Sequence, residues 1–169
     1  ALNRVLILSW EYPPLIEGGL ARHVRKLSEN LAEGGIDVHV LTRGSEESPP
    51  EELVGGVQIH RVREPTRPTD LGEFVAWVER MNADMLAAGV ELGDQFEFDL
   101  VHGHDWLVAM AGDHLARRFD APLVTTIHAT EHGRHQGWVD KHPQSHIHGV
   151  ERWISNRSDR VIACSYYMR

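Results

Sequence analysis

The sequence predicts an α/β fold, a doubly wound parallel sheet of at least six strands. Three observations carry that prediction. Short apolar runs alternate along the chain with segments of helical period. The runs are apolar at neighbouring positions, as in strands covered on both faces. The 169 residues, 41% hydrophobic and 25% charged, suit one domain with its own core and contain no low-complexity tract.

Val5-Leu6-Ile7-Leu8 is the first expected strand. After a loop with Pro13 and Pro14, Leu20, Val24, Leu27 and Leu31 recur at helical spacing, and Gly34-Gly35 stops the helix. Residues 36–41 form the second strand. The polar stretch 43–52 reads as a loop, and 57–62 as a third, weaker strand whose polarity suits a sheet edge. Asp70 and Glu73 resemble a capping box for a helix with apolar face Leu71, Phe74, Val78, Met81 and Met85, ended by Gly93. A fourth strand, 99–102, leads to a helix facing inward through Leu107, Met110, Ala111 and Leu115. Residues 123–127 make the fifth strand. A histidine-rich loop, 128–142, precedes a helix with Pro143 at its first position and Ile147, Val150 and Ile154 inward. Residues 161–163 make the sixth strand, and Ser165 reads as the N-cap of a further helix.

Composition excludes several classes of protein. The 17 Lys+Arg against 25 Asp+Glu leave a net charge of -8, which repels a phosphate backbone, so nucleic acid is not an expected partner. A single cysteine, Cys164, precludes an internal disulfide and fits a reducing compartment. No apolar run approaches the roughly 18 residues of a transmembrane segment, and no basic-then-apolar leader opens the sequence; a cytoplasmic location is expected.

Candidate chemistry gathers where strands give way to loops. Ser9-Trp10-Glu11-Tyr12-Pro13-Pro14 leads from strand one to Gly18-Gly19-Leu20 at the start of the first helix. A helix N-terminus offers unpaired N–H groups and partial positive charge to an anion, and glycines let a phosphate or sugar hydroxyl approach closely. The alternative is a tight turn and nothing more. His102-Gly103-His104-Asp105-Trp106 ends the fourth strand, with Asp105 either a site residue or merely a helix N-cap. His128-Ala129-Thr130-Glu131 ends the fifth. Ligands of open α/β sheets bind at this carboxyl edge. There is no Gly-x-Gly, no Gly-Lys-Ser/Thr and no Asp-x-Asp, so the dinucleotide fingerprint, the P-loop and a paired-carboxylate magnesium site are all missing.

The ordered motifs S-W-E-Y-P-P with G-G-L-A-R-H-V, D-L-V-H-G-H-D-W, T-T-I-H-A-T-E and S-D-R-V-I-A-C-S span nearly the whole chain. They resemble the N-terminal domain of family 4 glycosyltransferases, which are similar to bacterial glycogen synthases. The resemblance implies a GT-B enzyme: two Rossmann-like domains facing across a cleft, retaining hexosyl transfer from a nucleotide sugar to a carbohydrate or glycolipid, and no required metal or cofactor. On that basis residues 1–169 are the acceptor-side domain. The donor-binding C-terminal domain is absent from this chain, and the chain alone is expected to be inactive. The resemblance places Gly18 and Gly19 beside the donor diphosphate or acceptor, with His104 also in substrate binding. It puts Asp105 and His128 in the active-site cleft as catalytic residues and Glu131 near the acceptor. Ile16 stands where glycogen and starch synthases carry a lysine, which argues against an ADP-glucose-specific, polymer-elongating enzyme.

Two other classes fit part of the sequence. One is a stand-alone sugar- or nucleotide-binding module without catalysis. The other is a metalloprotein, because His128, Glu131, His132, His135, His142, His146 and His148 fall close together. Zinc needs three or four converging ligands, and neither His-Glu-x-x-His nor a binuclear hydrolase pattern occurs, so no metal site is expected and the loop reads as a polar flap.

Overall fold

The computed structural model describes residues 2–129 and 144–165. It forms a seven-stranded sheet in the order β3-β4-β2-β1-β5-β6-β7, parallel except for β3. The strands are β1 (Arg4–Ser9), β2 (Asp37–Gly44), β3 (Glu51–Val54), β4 (Val57–Arg63), β5 (Leu100–His104), β6 (Leu123–Ala129) and β7 (Arg160–Ser165). The helices are α1 (Gly19–Glu33), α2 (Phe74–Gln95), α3 (Ala109–Arg118) and α4 (Gln144–Arg157).

The chain runs outward from β1 to β2 and β4, then crosses back through α2 to β5 and continues to β7. Right-handed crossovers therefore put α1 on one face and α2, α3 and α4 side by side on the other. The switch in direction lies between β1 and β5, and the ends of β1, β5 and β6 share one edge. Leu6, Ile7, Leu8, Val38, Val40 and Leu41 are fully buried, as continuous apolar runs under two helical layers must be.

Several expectations change. Residues 51–54 form a strand, because Gly55 and Gly56 take the positive φ angles of a tight hairpin and fold it back on β4. The edge is therefore β3, and β4 lies inside it. Gly93 does not end its helix; α2 runs on to Gln95, and a Cβ at Gly93 would overlap the Phe119 ring. Met110 faces out, 43% exposed, while Leu107, Ala111 and Leu115 are buried as expected. Asp70 does cap its helix, with Oδ1 accepting the Glu73 N–H at 3.0 Å, through a 3-10 turn before α2 proper. Ser165 is the last residue of β7, and the helix expected beyond it lies outside the described residues. Pro143 lies outside the described residues.

The same close approach of α2 and α3 has a measurable consequence. A Cβ on Gly89 would stand 2.5 Å from Cδ1 of the fully buried Leu115. Gly89→Ala gains about 1 kcal/mol in helix propensity but overpacks by about 1–3 kcal/mol. A lower denaturant midpoint is expected; an unchanged or higher one would show that the two helices part without cost.

Candidate functional site at the carboxyl edge of the sheet

The site begins with the loop that leaves β1. Glu11 is fully buried, and its carboxylate turns back to the start of α1, accepting the N–H of Glu17 at 2.8 Å and of Ala21 at 2.9 Å. One of the orphan donors of the helix N-terminus is thus used internally. Gly18 and Gly19 remain at the rim. A Cβ at Gly19 would meet nothing within 4 Å, so packing within the domain does not require glycine there.

Two buried arginines hold this loop. Arg43, 1% exposed, donates from Nε to the Trp10 carbonyl at 3.1 Å, pairs with Glu17 at 2.8 Å and lies over the Trp10 ring at 4.9 Å. Burial would raise the Glu17 carboxyl, but Arg43 and then Arg67 outweigh it and hold it below the usual range. Arg61 donates to the Pro13 carbonyl at 3.1 Å. Arg43 belongs to β2 and not to the loop expected over 43–52, since nothing local shows that the strand continues through Gly44 under Trp10 and Trp77.

At the end of β5, Asp105 adopts φ 71° and ψ 174°, a backbone region costly for any residue but glycine. Its N–H donates to the Thr126 carbonyl at 2.7 Å, and its Oδ1 accepts the Trp106 N–H at 2.8 Å. The N-cap reading was therefore right in part. The turn that follows is fixed by buried Asn82 of α2, which donates to the Leu107 carbonyl and accepts from the Ala111 N–H. Burial, with a smaller contribution from Glu151, pushes the Asp105 carboxyl up to about 7 against the pull of the Trp106 N–H. A strained, partly exposed carboxyl titrating near neutrality at a strand end is a functional-site signature.

His102 and His104, two residues apart, share the α1 face of β5, and His128 of β6 joins them. His104 Nδ1 and His128 Nε2 are 3.2 Å apart, and His102 Nε2 meets Thr126 Oγ1 at 2.7 Å. His23, one helical turn beyond Gly19, brings its ring to 5.2 Å from that of His128 and 6.1 Å from that of His104. Burial pushes His102 and His128 down to about 4 and His104 well below the ordinary histidine value, so all three are neutral at pH 7. Neutral imidazoles both donate and accept, which suits them to sugar hydroxyls.

The edge therefore collects Gly18, Gly19, His104, Asp105 and His128, while Glu131 lies outside the described residues. Sequence reasoning missed His23. Its spacing from Gly19 put it on the same helical face, but only the fold lays that face over β5 and β6.

Fold and site together define a Rossmann-like domain of the GT-B class. More particularly, residues 17–169 match the family described as Glycosyltransferase Family 4, and the chain belongs to that family. It is 42% identical to a glycogen synthase of Mycobacterium tuberculosis, over 98% of this chain and 43% of that protein. It is 30% identical to a D-inositol 3-phosphate glycosyltransferase of Kineococcus radiotolerans, over 96% and 40%. Among solved structures, sucrose-phosphate synthase from Thermosynechococcus elongatus superposes with a TM-score of 0.70 at 21% identity, over 94% of this chain and 41% of that one; this likeness shows the fold. The chain spans about two fifths of the length of the curated relatives it matches. Among the described residues no helix is long and apolar enough to cross a membrane.

Proposed function

We propose that this chain is the acceptor-side domain of a retaining hexosyltransferase that moves glucose or mannose from a nucleotide sugar to a carbohydrate or glycolipid. The observation that carries the reading is the convergence of the Gly18-Gly19 helix start with His104, Asp105 and His128 at the switch-point edge. Kinship to a glycogen synthase and to an inositol phosphate glycosyltransferase supports sugar transfer while leaving both polymeric and small acceptors open.

In this reading the open rim at Gly19 admits a phosphate or hydroxyl to the N-terminus of α1. His128 hydrogen-bonds a hydroxyl of the transferred sugar as a neutral ring. Asp105, titrating near neutrality, accepts or donates a hydrogen bond at the reacting end. The donor nucleotide is held by a second domain carried elsewhere in the full-length protein.

Half of a two-domain cleft neither encloses a donor nor excludes water. The 169 residues alone are therefore expected to release no nucleotide from a panel of nucleotide sugars, whereas the full-length protein turns over at least one of them with a carbohydrate or glycolipid acceptor. Turnover by the isolated chain would overturn the two-domain reading. Tight sugar binding without turnover by the full-length protein would instead favour a binding module.

A further inference from the structure

Three imidazoles meet at this edge in an arrangement that sugar binding does not require. His23 from α1, His104 from β5 and His128 from β6 each present a ring nitrogen, and the three nitrogens lie within 4.8 Å of one another. The His104 Nδ1 to His128 Nε2 separation of 3.2 Å is close to the roughly 3.3 Å between two nitrogens bound to one tetrahedral zinc ion. His104 is fully buried. As neutral rings, His104 and His128 share one proton-bearing contact. A cation held between them would use both lone pairs.

We propose that His23, His104 and His128 form a binding site for a late first-row divalent metal ion of the zinc class. The ligand set selects the ion. Three imidazoles suit zinc, cobalt, nickel or copper, while magnesium and calcium require oxygen donors that the triad does not supply. The ligands come from three separate elements of one packed face, which gives a preformed site. This site is distinct from the histidine-rich loop considered from sequence and shares only His128 with it. Because His104 and His128 also belong to the proposed sugar site, metal and sugar exclude one another there.

The test is a titration of the purified, untagged protein with Co²⁺ at pH 7.5, read by visible absorption. One equivalent is expected to produce the d–d bands of a four- or five-coordinate ion, and Zn²⁺ is expected to bleach them. His23 is only partly buried, so His23→Ala and His23→Gln should melt like the parent while binding Co²⁺ at least about tenfold more weakly. His146→Ala, at an exposed position of α4 on the opposite face of the sheet from α1, should retain the bands. Absence of the bands, or equal binding in the parent and both His23 variants, overturns the site. So does loss of the bands in His146→Ala. None of these readings depends on sugar transfer, so the metal site and the transferase reading fail separately.

Discussion

Replacing His128 with alanine in the full-length protein is expected to lower kcat by about 100-fold or more, equivalent to about 2.7 kcal/mol of transition-state stabilisation. His128 sits one residue before the end of β6, on the face that α1 covers at its N-terminal turn. A retaining transfer develops positive charge on the sugar ring as the nucleotide leaves with negative charge. A neutral imidazole fixed against that ring contributes chiefly in the transition state, so KM should change less than kcat. The side chain is 6% exposed, and its loss leaves His104 Nδ1 without its partner, so some stability is lost, about 1–2 kcal/mol. Rates should be compared at temperatures where both proteins are fully folded. A variant that unfolds while its folded fraction turns over normally would make His128 a packing residue and nothing more.

Acidification should destabilise the chain steeply. His102 and His128 have folded pKa values pushed down to about 4 from 6.5 in the unfolded chain, and His104 lies well below its ordinary value. Between those limits the unfolded state binds more protons than the folded state. Stability is therefore full above about pH 6.5 and is lost as pH falls toward 4. Each of the first two shifts corresponds to about 3 kcal/mol at the acid end. Asp105 opposes them: raised to about 7, it favours the folded state as pH falls toward 3.8 and offsets about one histidine. The remaining deficit of about one to two protons over roughly two pH units corresponds to about 3–5 kcal/mol, a large share of a net stability of about 5–15 kcal/mol. Urea unfolding between pH 7 and 4.5 should show a loss of about 3 kcal/mol or more. His102→Gln should flatten the slope by about one proton. A profile level across that range would mean that these imidazoles are solvated in the folded chain.

The alternating plan, the six principal strands and the loops at one sheet edge were legible in the residue pattern. They were so because strands buried on both faces must be apolar throughout, and because helical spacing marks the amphipathic faces of α1 and α2. The ordered motifs from Ser9-Trp10 to Cys164-Ser165 also carried the family. The extra strand β3 was legible in principle, since Gly55-Gly56 between two short runs is a hairpin signal. Helix packing was not. Gly93 looks like a stop in one dimension, and only the Phe119 ring across the α2–α3 contact explains why glycine sits inside the helix. Burial of charge was equally hidden: Arg43 looks solvated until Trp10, Trp77 and Glu17 close around it from elements distant in sequence. The convergence of His23 with His104 and His128, the strained backbone of Asp105 and the pKa shifts of all four groups arise from long-range packing and desolvation. A local residue pattern contains neither; both emerge when elements distant in sequence pack together.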